Sequence, residues 1–332
     1  MGGNVSKALV TGGAGFIGSH VARHLLGDCL EVTVLDDLSG GFRENVPPEA
    51  RLVEVSVTDY PALKSLFEAE RFEYVFHLAA HASEGLSHFI RRHNYKTNLV
   101  GSINLINLSV LYETRCFVFT SSIAVYGENR LPMTEEFTPK PVDPYGISKY
   151  ATELDLASAH RQFGLDYIIF RPHNVYGVHQ NIGDKYRNVV GIFMRQILLD
   201  QPLTIFGDGE QVRAFSYIDD VAPVIARSVK ESSAYSETFN LGGDKAHSVN
   251  ELALAVCKQM GVRPEIRHLP PRNEVKHAYA SHEKLAQYFH LPEPVGLQDG
   301  LSKMAQWVRR TGYRASSSSP VIELPEGLPK GW

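Results

Sequence analysis

The segment VTGGAGFIGSH, residues 10–20, constrains the fold of this chain more than any other stretch. It follows an apolar run typical of a buried strand and leads into the pattern of an amphipathic helix. Gly12, Gly15 and Gly18 recur in it at intervals of three. Such glycines allow a tight turn, a close approach of the backbone to a phosphate, and packing of the helix on the strand. The segment therefore predicts a βα unit that binds a dinucleotide at the helix N-terminus.

An acidic pair at the end of the next predicted strand indicates which dinucleotide is bound. Asp36 lies 18 residues beyond Gly18, near the end of EVTVLDD. Its carboxylate can accept hydrogen bonds from both hydroxyls of the adenine ribose and would repel a 2′-phosphate, so NAD is predicted rather than NADP. Asp37 strengthens this preference, although one of the two carboxylates could instead cap the turn that follows.

The alternation of strand and helix patterns along the sequence predicts the fold class. Short β-branched runs alternate with helical patterns in the first half, which predicts a Rossmann-type α/β fold with a doubly wound parallel sheet. We expect this NAD-binding domain to cover residues 1–172, and strand segments near 212–245 could also belong to it. Residues 173–315 have longer loops, and a smaller, discontinuous α/β substrate-binding region is expected there. Residues 316–332 are predicted to be a linker and an extended or mobile tail.

Charge and cysteine content exclude several other classes of protein. Lys and Arg total 33 against 37 Asp and Glu, which argues against binding to nucleic acid or to an acidic membrane surface. Cys29, Cys116 and Cys257 lie far apart without a CxxC pair, so neither a disulfide framework nor a metal site is predicted. A cytoplasmic location is expected, because no signal peptide or membrane span is evident.

A tyrosine and a lysine on one predicted helix suggest a redox site. Tyr145 and Lys149 are four residues apart in PYGISK and therefore share a helix face. A nearby ammonium favours the ionised form of a phenol, so Tyr145 could exchange a proton with a hydroxyl group. An isolated YxxxK is more often a solvated helix face. Ser122 favours a redox site over a solvated helix face, because it ends the predicted strand FVFTSS and ligands bind at the carboxyl ends of such strands.

The order of the motifs resembles the extended short-chain dehydrogenase/reductases, and among them the NAD-dependent nucleotide-sugar epimerases and dehydratases. The resemblance extends from Lys7 to about Arg310. It rests on TGGAGFIG, DDLS, HLAA, NLVGS, SSIAVYG, YGISK, FRPHNVYG, FGDGEQVRAFSYIDD, FNLGG and PPRNE. It implies NAD as cofactor, a nucleotide sugar (a UDP-sugar above all) as substrate, and a homodimer formed through helices around residues 98–111 and 150–162.

The same resemblance implies roles for individual residues. Ser122, Tyr145 and Lys149 match the catalytic residues of the family. The residues expected to contact NAD are Gly12, Gly15, Phe16, Ile17, Gly18, Asp36, Asp37, Ser56, Val57, Ala79, Ala80, Asn98, Tyr145, Lys149 and Pro172. Many members have an aspartate where Ser56 stands, so that contact is altered here. The residues expected to contact the substrate are Glu84, Ser122, Asn174, Asn188, Phe206, Arg213 and Arg272, the two arginines as clamps of the diphosphate.

Two aliphatic residues after Ser122 narrow the reaction that the resemblance implies. Members that dehydrate the sugar carry an Asp–Glu pair where Ile123 and Ala124 stand. Decarboxylases place a glutamate at the position of Ala124, and 3,5-epimerases or reductases place a cysteine there. Aliphatic side chains transfer no protons. The expectation is therefore an isomerase, a UDP-sugar 4-epimerase of the glucose/galactose type, which passes through a 4-keto sugar and regenerates NAD in each turnover.

The segment after HLAA leaves other reactions open. Epimerases of the family more often have an apolar residue where Glu84 stands. His81, Glu84 and His88 could supply acid–base groups to a 3,5- or 2-epimerase or a dehydratase. The simpler interpretation, which we favour, is that Glu84 pairs with Arg91 or Arg92 and the histidines are solvated. A non-catalytic NAD-binding protein is a further alternative, against which the complete catalytic set argues.

Overall fold

The computed structural model describes residues 5–184, 186–271, 275–314 and 320–329. Arg272, expected to clamp the substrate diphosphate, lies outside the described residues, as does the serine run of the tail. Over the ranges just given, no helix is both long and apolar enough to cross a bilayer.

The centre of the fold is a parallel sheet of seven strands. They are β1 (Lys7–Thr11), β2 (Glu31–Leu35), β3 (Arg51–Val53), β4 (Tyr74–His77), β5 (Cys116–Thr120), β6 (Asp166–Pro172) and β11 (Glu237–Leu241). Their order is β11-β6-β5-β4-β1-β2-β3, so the strand order reverses between β1 and β4. This arrangement confirms the predicted Rossmann-type doubly wound α/β fold.

Helices cover both faces of the sheet and build much of the second half of the chain. They are α1 (Phe16–Gly27), α2 (Tyr60–Glu70), α3 (Glu84–Ser87), α4 (Arg91–Tyr95), α5 (Gly101–Leu111), α6 (Pro144–Phe163), α7 (Val189–Leu198), α8 (Ile218–Arg227), α9 (Val249–Met260), α10 (Glu283–Tyr288) and α11 (Leu297–Thr311). A π-helical turn over Lys96–Val100 joins α4 to α5. Successive residues of β1 face opposite apolar clusters: Val10 packs with α1 and α8, and Leu9 with α2, α5 and α6.

The remaining strands are short and lie beyond β6 in the chain. They are β7 (Val175–Tyr176), β8 (Leu203–Phe206), β9 (Val212–Ala214), β10 (Ser216–Tyr217), β12 (Ala246–Ser248), β13 (Ile266–Leu269) and β14 (His277–Ala278). They pair as β10-β7, β12-β9-β14 and β13-β8, outside the large sheet. Only β11 returns to that sheet among the described strands after β6. The division of the chain into NAD-binding and substrate-binding parts stays a prediction.

Candidate active site

The glycine loop between β1 and α1 has a closely packed backbone. Gly12 has a φ of +70°, and a Cβ at this position would lie 2.7 Å from the backbone nitrogen of Ala79. A Cβ on Gly18 would lie 2.2 Å from the carbonyl oxygen of Gly12. A Cβ on Gly15 would meet only atoms of Gly12 within 4 Å. Two of the glycines are thus required by the turn and the packing, and the third leaves room for a ligand.

The acidic pair follows β2, and only one member of the pair contacts the glycine loop. Asp36 is buried, and its Oδ2 accepts the backbone N–H of Ala14 at 3.0 Å while its Oδ1 accepts that of Leu38 at 2.8 Å. Burial raises the pKa of this carboxyl. Asp37 is exposed and caps the following turn, since its Oδ1 accepts the backbone N–H of Ser39 at 3.0 Å. The carboxylate positioned for a ribose is therefore that of Asp36.

The other residues predicted to contact NAD lie mostly along the carboxyl edge of the sheet. Phe16 and Ile17 begin α1, Ser56 and Val57 follow β3, Ala79 and Ala80 follow β4, and Pro172 ends β6. Ligands of open α/β sheets bind at this edge, where the strand order reverses. The glycine cradle, the N-terminus of α1 and the buried Asp36 carboxylate fit a dinucleotide with a free ribose 2′-hydroxyl, which is NAD.

Asn98, also predicted to contact NAD, lies in the π-helical turn and is 1% exposed. Its Oδ1 accepts the backbone N–H of His81 at 2.7 Å, and its Nδ2 donates to the carbonyl oxygen of His81 at 3.1 Å and to Oδ1 of Asn94 at 2.8 Å. Asn94 in turn donates to the carbonyl oxygen of Pro144 at 2.8 Å. Asn98 thereby links the loop after β4 to the first turn of α6.

Tyr145 and Lys149 lie on the buried face of α6. Asp143 caps this helix, because its Oδ1 accepts the backbone N–H of Gly146 at 2.9 Å. The Nζ of Lys149 lies 5.9 Å from the centre of the Tyr145 ring and donates to the carbonyl oxygen of Thr120 at 2.7 Å. The cap and the buried face together hold both side chains beside the end of β5.

Ser122 completes the set at the end of β5. Its Oγ accepts the backbone N–H of Ala124 at 3.1 Å and so caps the short 3₁₀ turn Ile123–Tyr126. The same hydroxyl lies close enough to the Tyr145 phenol to lower its pKa. Ile123 is 8% exposed and packs into an apolar cluster. The structure therefore brings the three predicted catalytic residues together, and the two residues that follow Ser122, Ile123 and Ala124, offer no acid or base beside them.

Burial opposes charge on both the tyrosine and the lysine. It raises the pKa of Tyr145, and the nearby charge of Glu84 raises it further, whereas the Ser122 hydroxyl lowers it. Burial lowers the pKa of Lys149 to about 7, against the charge of Glu153, which raises it. Lys149 therefore does not by itself give Tyr145 the phenolate character predicted from the spacing, because its ammonium is desolvated and directed at a backbone carbonyl.

The loop after β4 places Glu84 and His81 near this set. Glu84 begins α3, has an exposed side chain, and lies close enough to Tyr145 to raise the pKa of the phenol. His81 has a buried Nε2 without a hydrogen-bond partner, and burial lowers its pKa to about 3. The interpretation of the loop histidines as solvated is therefore wrong for His81, which is a neutral, largely buried imidazole.

The described residues predicted to contact the substrate diphosphate and base make contacts within the protein. Asn174 donates its side-chain amide to a carbonyl oxygen of β9 at 3.0 Å. Asn188 caps α7 and donates to a carbonyl oxygen of β7 at 2.7 Å. Arg213, on β9, donates to the carbonyl oxygen of Lys276 at 2.9 Å, and Phe206 ends β8. These contacts hold the second half of the chain together, and their role toward a substrate stays a prediction.

A buried ion pair behind the catalytic set was not predicted. The side chains of Arg171 and Glu153 are 6% and 5% exposed. They are joined by two hydrogen bonds, Nη2 to Oε2 at 2.5 Å and Nε to Oε1 at 3.0 Å. The Ser121 hydroxyl donates to Glu153 at 2.5 Å, and Arg171 donates to the Tyr126 hydroxyl at 2.7 Å. The only signal in the sequence is the position of Glu153, one helical turn after Lys149.

A chain of two histidines and an aspartate was also missed. Nε2 of His173 lies 2.9 Å from Nε2 of His282, and Nδ1 of His282 lies 2.5 Å from Oδ1 of Asp244. Nδ1 of His173 lies 3.4 Å from the carbonyl oxygen of Ala214. Because a carbonyl and a carboxylate only accept, both outer nitrogens carry a proton, and the two inner nitrogens share a third. Burial lowers the pKa of His173 to about 3.

Comparison with known proteins identifies the family that this site matches. A sequence profile of the NAD-dependent epimerase/dehydratase family matches residues 8–242. A putative UDP-glucose 4-epimerase of Methanocaldococcus jannaschii is 36% identical over 307 residues, which cover 91% of this chain and 98% of that protein. The range matched by the profile contains the glycine loop and all three predicted catalytic residues.

Solved structures that resemble this fold include two UDP-glucose 4-epimerases. The crystal structure of UDP-glucose 4-epimerase from Thermotoga maritima with UDP-glucose has a TM-score of 0.87 and 37% identity, covering 92% of this chain and 99% of its own. That of UDP-glucose 4-epimerase from Thermus thermophilus with NAD has a TM-score of 0.84 and 33% identity, again covering 92% and 99%. The matched region covers 99% of the chain in both of these structures.

Proposed function

The chain belongs to the NAD-dependent epimerase/dehydratase family, and we propose that it is a UDP-sugar 4-epimerase of the glucose/galactose type. The observation that carries this proposal is the composition of the site at the end of β5. Ser122, Tyr145 and Lys149 lie together there, and the adjoining turn contributes only aliphatic side chains at Ile123 and Ala124. Such a site supports removal and return of a hydride, and Ile123 and Ala124 cannot donate the proton that elimination would require.

The roles of the residues follow from their contacts. When bound, NAD would supply the redox chemistry, as acceptor and donor of the hydride of the sugar C4. The positive charge of its nicotinamide ring would also favour the ionised form of a nearby phenol. Tyr145 takes the proton of the 4-hydroxyl and later gives it back. Ser122, whose hydroxyl lies beside the phenol, is placed to bond O4 of the sugar. Lys149 is fixed by the Thr120 carbonyl beside the tyrosine.

Inversion at C4 requires the 4-keto sugar to present its other face before the hydride returns. We propose that it turns about its diphosphate linkage, which needs space around the sugar rather than further catalytic groups. The small Ala124 and the exposed position of Glu84 are compatible with this movement. The UDP moiety is supported by relatives that are named UDP-glucose 4-epimerases and by the Thermotoga maritima structure with UDP-glucose.

Glu84 supports one second candidate, a 2- or 3,5-epimerase in which its carboxylate removes a carbon-bound proton. Turnover of UDP-glucose in D₂O separates the two. A 4-epimerase transfers the hydride internally, so we expect product without deuterium on any ring carbon, measured by NMR and mass spectrometry. Deuterium at C2, C3 or C5 would contradict the proposal. A Glu84→Gln variant serves as control, since loss of any label in this variant would assign the exchange to that carboxylate.

We also propose that the protein is a homodimer. Large apolar side chains, each between 40% and 55% exposed, lie on the two helices that the resemblance assigns to the interface: Val100, Leu111, Ile147 and Leu154. Contact between two copies would bury them. Leu154→Glu is expected to halve the mass measured by sedimentation velocity. Leu254→Glu, at a 52% exposed position of α9, is the control and should leave the mass unchanged, whereas a monomeric parent protein would contradict the proposal.

A reducing cytoplasm is the location that we propose. Cys29, Cys116 and Cys257 are all free thiols in the fold, and the first of them is exposed. Cell fractionation before the sedimentation experiment tests this location on the same material, since recovery outside the cytoplasmic fraction would contradict it.

A further inference from the structure

Part of the C-terminal tail, residues 320–329, contacts the region just before α4. The backbone N–H groups of Glu323 and Leu324 both donate to the carbonyl oxygen of Phe89, at 2.8 and 3.2 Å. The carboxylate of Glu323 then reaches the helix itself. Its Oε2 accepts the backbone N–H of Arg92 at 2.8 Å, and its Oε1 accepts that of His93 at 2.9 Å. Four hydrogen bonds therefore hold this segment against the start of α4.

These contacts supply what the sequence around α4 lacks. The first N–H groups of a helix have no partner within the helix, and a polar side chain just before it commonly accepts from one of them. The residue in that position here is Ile90, which is fully buried and makes no such bond. Glu323, 230 positions after His93 in the chain, takes its place. A carboxylate is well suited to this end of a helix, where the helix dipole is positive.

The helix that Glu323 caps is connected to the catalytic set. Asn94, one residue after His93, donates to the carbonyl oxygen of Pro144 at 2.8 Å, and Pro144 directly precedes Tyr145. Asn94 also accepts from Asn98, which holds the backbone of His81 in the loop after β4. A displacement of the first turn of α4 would therefore reach the first turn of α6 through one side chain.

We propose that Glu323 is a positioning residue, supplied by the tail, that caps α4 and thereby fixes the end of α6 that carries Tyr145. The Methanocaldococcus jannaschii relative and the Thermotoga maritima structure match 91% and 92% of this chain but 98% and 99% of their own lengths, and the family resemblance ends near Arg310. The tail lies beyond that point. The effect on turnover rests on the proposed function, whereas the effect on the two helices does not.

The experiment compares four full-length proteins: the parent, Glu323→Ala, Glu323→Gln and Glu326→Ala. Glu326 is an exposed glutamate of the same tail and is the matched control. Loss of a helix cap corresponds to about a three- to tenfold change in local opening. Amide hydrogen exchange of Arg92 and His93 should therefore be faster by about this factor in Glu323→Ala, with a smaller increase at Gly146 and Ile147. Glu323→Gln keeps one acceptor oxygen and should lie between the parent and the alanine variant.

Kinetics provide the second readout. We expect kcat to fall several-fold in Glu323→Ala with KM and bound NAD unchanged, because the defect concerns the placement of Tyr145 and not the binding of ligands. Unchanged exchange at Arg92 and His93, or an equal change in Glu326→Ala, would overturn the cap. If amide exchange is faster at α4 but neither amide exchange at α6 nor kcat changes, the positioning role is overturned. If no UDP-sugar is turned over by the parent, the proposed function fails, and the exchange data still decide the proposal.

Discussion

Replacing Tyr145 with phenylalanine is expected to lower kcat by about 10² to 10⁴-fold, the range that general acid–base groups contribute. The phenol is the group that exchanges a proton with the sugar, and none of Ser122, Ile123 and Ala124 beside it can take over as a base near neutral pH. The change removes one oxygen from a side chain that is 7% exposed, so the packing of α6 should persist. We expect bound NAD and the KM for the nucleotide sugar to stay close to those of the parent.

The measurement is the steady-state rate of UDP-sugar interconversion, together with the NAD released on denaturation. Tyr150→Phe is the matched control, because Tyr150 lies on the same helix but packs against the apolar cluster around Ile123 and Val125. It should retain activity within a few-fold of the parent. Turnover in Tyr145→Phe at the rate of this control would remove Tyr145 from the mechanism and would favour Glu84 as the base.

The glycine loop and the catalytic set show what a sequence can predict. Each is a local pattern whose geometry is determined by the chain immediately around it. Gly12 and Gly18 are required because a side chain at either position would overlap backbone atoms, those of the loop after β4 for Gly12 and those of the same βα turn for Gly18. Tyr145 and Lys149 share a helix face through their spacing alone. Ser122 joins them because the carboxyl ends of parallel strands lie at one edge of the sheet.

Long-range partners could not be predicted in this way. His173 and His282 are 109 positions apart, and nothing in the surrounding residues indicates that their rings meet. The same is true of Glu323, which lies in the segment predicted to be an extended or mobile tail and which caps α4. Asn98 illustrates a subtler case. Its place in the chain was identified, but its side chain is engaged by the backbone of His81, a contact that depends on the exact path of a loop.

The ion pair between Arg171 and Glu153 is the second feature whose change should have a large effect. Arg171→Met is expected to lower the free energy of unfolding by about 3–5 kcal/mol, because it leaves the Glu153 carboxylate buried without its cation. The Ser121 hydroxyl would remain as a donor to that carboxylate, but a hydroxyl neutralises no charge. Equilibrium denaturation with urea measures the change. Lys303→Met, which breaks an exposed pair with Asp219, is the control and should cost about 1 kcal/mol or less.

A double variant distinguishes the cost of an unpaired charge from the value of the pair itself. Replacing both Arg171 and Glu153 with methionine removes both charges and keeps most of the buried volume, so most of the stability lost in Arg171→Met should return. It also keeps the experiment decisive if the single variant does not fold.

Recovery of stability in the double variant would mean that the pair is not needed for stability as such, and that its role is to join β5, α6 and β6 behind Lys149. Activity of the folded double variant would then test that role. The charge of Glu153 raises the pKa of Lys149, so replacing Glu153 should leave Lys149 less often protonated near neutral pH. Double-variant stability no better than that of Arg171→Met, or a single variant no less stable than Lys303→Met, would contradict this account of the buried pair.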